Sequence, residues 1–453
     1  MKHEKEYKLI LAFGEPTLLA SLYSYFKEKK EAFKLIFLQD AEIASSIKEL
    51  NVDYQDILNF ERILQKADKL IYLEEIYKRN FSEKIGIVEQ ALEYQVPIFS
   101  FLLLNFKKEY PTLEDFKLSD LYIDNFFRAT SSEYKAETVL ITGAAGFIGK
   151  GITRRFAEKN ACLVLIDNSE TELFYLQQEL NAIFPNAEVN YFLNDICDTT
   201  KIEAIFQQFT PTIVIHAAAF KHVAFLENQI SGAIKNNVIG TYFLLKLAEN
   251  YNTRDFLLIS TDKAVEPISV MGKTKAIAEK LVSSFAVKSE TTNFNSLRFG
   301  NVLGSTGSVL PLFEKQFSWN SQLLLTNPKA SRYFYTLNEV SELLLKCLKA
   351  SEKGVVFSVL PTEQITIKRL ANLFLSLKKS SFNFQNIDLK PGEKLQELLI
   401  SSEEKILQKK STYLVLQPKQ QFRNKLETEI LNFMENKCSE EEHFNFLNRL
   451  LEI

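Results

Sequence analysis

Short apolar runs alternate with amphipathic stretches along most of the chain. In the first part KLILAF (8–13), KLIFLQ (34–39), KLIYL (69–73) and VPIFSFLL (96–103) read as strands with helical patterning between them. This alternation predicts a small α/β domain with a parallel sheet over 1–130. The polar stretch RATSSEYKAE (128–137) predicts a linker. A second series follows, TVLIT (138–142), CLVLID (162–167), TIVIHAA (212–218) and FLLIST (256–261), again with helical patterns between the runs. It predicts a doubly wound parallel sheet, an α/β fold of the Rossmann type. Beyond about residue 300 the pattern is broken by Pro311, Pro328, Pro361 and Pro391, which predicts a smaller subdomain over 300–400. The tail, 401–453, is charged and helical in character. The expected organisation is therefore an α/β domain over 1–130, a main domain over 137–400 with its core in 137–300, and a helical extension.

The run at 138–142 leads straight into TGAAGFIG, with Gly143, Gly146 and Gly149 flanking Phe147 and Ile148. Glycine first permits a tight turn, then lets backbone N–H groups approach a pyrophosphate, then lets the following helix pack on the strand. The helix N-terminus adds partial positive charge. The next strand ends in Asp167, placed to accept hydrogen bonds from an adenosine ribose. A carboxylate there repels a 2′-phosphate, and the Asn168-Ser169-Glu170 that follows offers no arginine to bind one, so the pattern predicts NAD over NADP. The corresponding turn of the first domain, Gly14-Glu15-Pro16, has one glycine, and its proline has no N–H. No dinucleotide is expected there; a docking, oligomerising or regulatory role is.

Composition narrows the partners. The net charge of the 453 residues is −3, with no long basic run, which disfavours nucleic acid and anionic membrane surfaces. Cys162, Cys197, Cys347 and Cys438 are scattered, which predicts neither disulfides nor zinc and fits a reducing cytoplasm. The four histidines form no metal-ligand pattern, and no metal is expected. MKHEKEYKLIL is not a signal peptide, and the longest apolar run, VPIFSFLLLNF (96–106), is far short of the ~20 residues that span a bilayer.

The run at 256–261 ends in Thr261-Asp262-Lys263. Ligands of open α/β sheets bind at the carboxyl ends of strands, so an acid beside an amine there is a candidate proton-transfer pair. A local surface ion pair is the plain alternative. Met271 and Lys275 follow at i, i+4 and share a helix face.

That spacing is the Tyr-x-x-x-Lys of the short-chain dehydrogenase/reductase superfamily with methionine for tyrosine. TGAAGFIG, HAAAFKHV, KNNVIGT, STDKAVEP, VMGKTK, RFGNVLGSTGSV, SRYFYT and PGEKLQELL occur in the order found in nucleotide-sugar 4,6-dehydratases. Over roughly 137–400 the chain resembles the long-form UDP-N-acetylglucosamine 4,6-dehydratases of bacterial polysaccharide and glycan assembly, several of which have methionine at this position. The resemblance implies oxidation at sugar C4 by NAD, loss of water across C5–C6 and return of hydride to C6. It implies Asp262 as the acid that protonates the leaving hydroxyl, Lys263 as the base at C5, Thr261 near O4 and Lys275 on the nicotinamide ribose. Methionine cannot accept the O4 proton. Asp262, Thr261 with a water, or Lys275 are left for that step.

The resemblance further implies cofactor contacts at Asp195, Ile196, Ala217 and Ala218. Lys221, His222, Asn301, Arg332 and Glu393 would meet the sugar nucleotide, and Asn237 matches an asparagine of the superfamily placed near that site. It also implies a homo-oligomer, and a cytoplasmic one, since the long relatives' N-terminal membrane helices are not recognisable. Two departures bear on substrate choice. The usual SRGSV is here Ser305-Thr306-Gly307-Ser308-Val309, without its arginine, and the tyrosine that commonly follows PGEKL is Gln396. Alternatives are a nucleotide-sugar epimerase, a bifunctional dehydratase–epimerase, and a non-catalytic module that binds NAD or sugar nucleotide. The Asp262–Lys263 pair argues for elimination, since C4 epimerisation needs no acid at C6, and retention of Thr261, Asp262, Lys263 and Lys275 together counts against the non-catalytic module.

Overall fold

The computed structural model describes residues 133–319, 322–378, 384–418, 423–435 and 439–453, with six strands from the preceding part of the chain. Those six form one sheet in the order 53–56, 33–39, 8–14, 69–74, 98–102, 107–109. All neighbours are parallel except the last pair. Four strands are the expected apolar runs. The other two, DYQD and KKE, are short and polar, so hydrophobic patterning does not reveal them. Glu15 and Pro16 of the first-domain turn lie outside the described residues.

The second unit is built on a nine-stranded sheet in the order 405–409, 413–417, 356–359, 293–298, 255–259, 213–216, 138–142, 162–167, 189–193. The seven strands from 356–359 to 189–193 are parallel. Their central members are buried on both faces, which is why they read as unbroken apolar runs. Strand order reverses between 138–142 and 213–216: the next strand in sequence lies on one side of 138–142, and 213–216 with its successors on the other. The crevice at this switch point is where doubly wound sheets bind ligands.

Three expectations change. The strand expected at 212–218 is Ile213–His216, which leaves Ala217 and Ala218 in the loop beyond its carboxyl end. The expected linker is packed at its close: Tyr134 is buried edge-on against Phe156, ring centroids 5.1 Å apart. The tail expected to be helical opens with the antiparallel hairpin Lys405–Lys409 and Tyr413–Gln417, which closes the sheet edge. Leu414, Val415 and Leu416 are buried there; a sheet edge in want of a partner outweighs the local composition. Helices Arg423–Glu435 and Glu440–Glu452 follow, the second opened by a Ser439/Glu442 capping box.

The long helix Val270–Lys288 is held from two sides. Its Ile277, Ala278 and Leu281 share a core with Leu426, Ile430, Phe446, Leu447 and Leu450 of the two C-terminal helices. Lys273 Nζ donates to Asn448 Oδ1 at 2.6 Å and lies 4.2 Å over the Phe444 ring, while Lys280 donates to the Leu451 carbonyl. On the sheet side, buried Arg298 forks onto Glu279 of this helix and onto Glu404. Among the described residues no helix is long and apolar enough to cross a membrane.

Candidate active site

The three glycines form a cradle at the switch point. Gly143 has φ +65°, and a Cβ on it would lie 2.7 Å from the Ala218 backbone. A Cβ on Gly149 would lie 2.0 Å from the Gly143 carbonyl oxygen, so only glycine lets the helix Phe147–Glu158 seat against the turn. Gly146 caps this helix without a side-chain hydrogen bond, and no acidic residue occupies the first turn. The helix start thus keeps its N–H groups and partial positive charge for an anion.

Two cavities meet at this turn. One, about 220 Å³, is lined by Gly143, Gly146, Asp167, Asp195, Ile196 and Ala218. The other, about 470 Å³, is lined by Phe147, Ile148, Gly149, Ala217, Lys221 and His222. Asp167 accepts from the N–H groups of Ala145 and Ser169, both at 2.9 Å, which fixes its carboxylate at the rim. Asp195 accepts from the Cys197 N–H at 2.9 Å, and Ile196 packs where a Cβ on Gly240 would stand. The structure therefore gathers every cofactor residue expected from the sequence except Lys275 around these cavities.

Behind Ala218 lies a buried relay. Thr142 Oγ1 meets His216 Nδ1 at 2.8 Å, and His216 Nε2 meets Thr241 Oγ1 at 2.9 Å. Thr241 already donates to the Asn237 carbonyl, so it accepts from Nε2–H and Thr142 donates to Nδ1. Burial, with Lys275 as a second cause, pushes His216 down to about 3, so the ring is neutral. Burial also lowers Lys221 and His222, the latter helped by Lys221. His222 packs on the loop that lacks the family arginine: its Cε1 stands 2.6 Å from where a Cβ on Gly307 would be.

At the end of strand Asp255–Ile259 the chain turns through Thr261 into the short helix Asp262–Ala264. Asp262 is fully buried. Its Oδ1 accepts from Thr261 Oγ1 and from Lys263 Nζ, both at 2.9 Å, while its Oδ2 has no hydrogen-bond partner. Lys263 Nζ also donates to Asn301 Oδ1 at 3.4 Å. The adjacency in sequence is thus a hydrogen-bonded triad, more than a surface ion pair. Met271 is buried in the apolar core and supplies no proton acceptor.

Lys275 is buried, donates to the Ile259 carbonyl at 2.7 Å and is pushed down to about 8 by burial. Below that pH it is charged in folded and unfolded chain alike, and the burial penalty is fully present. Between about 8 and its ordinary 10.5 the folded chain has released a proton that the unfolded chain keeps, so stability rises with pH. Unfolding titrations should show the stability of wild type relative to Lys275→Met climbing by about 2–3 kcal/mol across that window.

Three expected substrate residues are occupied otherwise. The Asn237 amide is buried and bonded to both backbone groups of Phe220 and to Thr274, so it holds the chain just before Lys221 and His222. Arg332 donates to the carbonyls of Ser331, Lys394 and Leu395. Glu393 accepts from the Lys390 N–H and closes its own turn. Sequence reasoning overlooked Glu397, four residues on. It is buried, and its Oε1 lies 3.9 Å from Lys263 Nζ. PGEKLQELL holds two glutamates, and only the fold distinguishes them.

The doubly wound sheet, the glycine cradle and the Met271–Lys275 helix define a Rossmann-type protein of the short-chain dehydrogenase/reductase class. The family model described as "Polysaccharide biosynthesis protein" matches residues 139–418, and the chain belongs to that family. The capsular polysaccharide biosynthesis protein CapD of Staphylococcus aureus is 36% identical over 279 residues, 60% of this chain and 47% of CapD. The chain therefore spans about half the length of this relative. Pen from Bacillus thuringiensis superposes with a TM-score of 0.59 at 28% identity, over 66% of this chain and 99% of Pen. The UDP-glucuronic acid 4-epimerase of Bacillus cereus, solved with UDP-glucuronic acid and NAD, shares the fold with a TM-score of 0.52 at 20% identity, over 57% of this chain and 89% of its own.

Proposed function

We propose that this chain is an NAD-dependent nucleotide-sugar 4,6-dehydratase acting on UDP-N-acetylglucosamine or a close UDP-N-acetylhexosamine. The observation that carries the reading is the Thr261–Asp262–Lys263 triad, a buried acid bonded to an amine at the carboxyl end of a central strand.

The cradle fits a dinucleotide. A Cβ on Gly146 would meet only the Gly143 carbonyl, at 3.2 Å, so the surface above the turn is open. The uncapped helix start would hold the pyrophosphate, and Asp167 would hold the adenosine ribose and disfavour a 2′-phosphate. When bound, NAD supplies a reversible sink for the hydrogen at C4.

The residues divide the protons between two closed loops. Thr261, bonded to Asp262, takes the O4 proton and hands it to that carboxylate. Asp262 then delivers it to the C6 hydroxyl, which leaves as water. Lys263, entering as the neutral amine, removes the C5 proton and returns it to C5 when C6 has been reduced. Each group ends as it began, as turnover requires. In this reading Thr261 supplies the path that Met271 cannot.

Purified protein incubated with NAD and UDP-N-acetylglucosamine should yield a product lighter by one water in mass spectrometry. An unchanged mass with inverted C4 would make the protein an epimerase, and no conversion of any UDP-hexosamine would leave it a binding module.

A further inference from the structure

We propose that Glu397 is a positioning residue for Lys263: it is the carboxylate that balances the lysine's charge when Asp262 is neutral. The inference rests on the reading of Lys263 as the C5 base.

The proton loops create an electrostatic problem. When Lys263 takes the C5 proton, Asp262 already carries the proton from O4. The new ammonium then lacks its 2.9 Å counter-charge in a site where Asp262 is fully buried. The Lys263 side chain is 22% exposed, and a charge held mostly out of water is costly without an anion nearby. Glu397 is the other carboxylate paired with Lys263, at 3.9 Å, and is itself 3% exposed. Its Oε2 has no hydrogen-bond partner and lies 3.8 Å from Lys394 Nζ.

Glu397 is also deliberately held there. Lys394 Nζ donates to the carbonyls of Val265 and Glu266, at 2.8 and 2.7 Å, tying the loop before Glu397 to the chain just after Lys263. Glu266 presents that carbonyl from a left-handed backbone, φ +44°. Arg332 grips the carbonyls of Lys394 and Leu395 from the other side. The Glu397 carbonyl accepts from Gln364. The Glu397 carboxyl holds its proton more tightly than an ordinary glutamate, chiefly through burial; Lys263 lowers that affinity, Asp262 raises it, and Arg332 and Lys394 lower it.

The test uses Glu397→Gln, which keeps shape and removes charge, and Glu397→Asp, which keeps charge. With Gln, kcat should fall at least about tenfold with KM little changed, and the acid limb of the kcat profile should move down by about one pH unit. The pH at which Lys263 becomes reactive toward an acetylating reagent, read by peptide mass spectrometry in the absence of substrate, should fall in the same direction. Glu397→Asp should restore most of both. An unmoved limb and unmoved acetylation in Glu397→Gln would overturn the proposal; should that variant not fold, Glu397→Ala takes its place, and an unmoved limb and unmoved acetylation there would do so. Lys263→Ala separates the two levels. If it is inactive while Glu397→Gln behaves as wild type, only the role of Glu397 falls; if it turns over normally, the base reading falls and takes the proposal with it.

Discussion

Asp262→Asn should lower turnover by ~10²–10⁴-fold while NAD still binds. The amide keeps the size of the carboxyl and can still accept from Thr261 and Lys263, so the loop at 261–264 has no steric reason to move. What it cannot do is take the O4 proton and pass it to the C6 oxygen. Both chemical steps that route through this side chain stop together, whereas the cradle at Gly143–Gly149 is untouched. Cofactor titration by fluorescence together with product mass spectrometry checks both halves. Near-normal dehydration by the variant would remove Asp262 from the mechanism.

Gly149→Ala should abolish the NAD-induced rise in melting temperature and lower stability by about 1–3 kcal/mol. Its new methyl would stand 2.0 Å from the Gly143 carbonyl oxygen and 2.8 Å from the Ala144 Cα. Both are backbone, so no flexible side chain can yield. The helix must lift off the strand, and the N–H groups at its start lose their aim at the pyrophosphate site. Gly232 lines the larger cavity but a Cβ there meets nothing within 4 Å, so Gly232→Ala controls for the added methyl without moving backbone. Differential scanning fluorimetry with and without NAD distinguishes the two. A Gly149→Ala protein that NAD stabilises as well as wild type would refute the assignment of the cradle.

The buried parallel strands and the cradle were readable because burial on two faces leaves an apolar run and because each glycine answers a local steric demand. Strand 293–298 was not. Its sequence NFNSLR places Asn295, Ser296 and Arg298 in the interior, where Asn295 bonds the backbone of Glu352 and Val355, and Arg298 meets Glu279 and Glu404. Polar residues partnered by distant segments leave no periodic trace. The same limit applied to the site. The Asp262–Lys263 pair is adjacent in the chain and could be weighed there. The approach of Glu397 and the diversion of Arg332 to loop-holding depend on contacts across more than 60 positions for Arg332 and more than 100 for Glu397, whereas Glu393 closes a local turn on Lys390.

The grip of the last helix on Val270–Lys288 bears on how the protein can be re-engineered. Lys273 sits inside the Met271–Lys275 motif, yet its ammonium is seated on Phe444 and Asn448. A chimaera that imports a foreign C-terminal segment would therefore perturb the reaction centre from behind, without altering one residue of the substrate pocket. Recombination breakpoints placed between 418 and 439 should be poor ones unless position 273 is exchanged along with them.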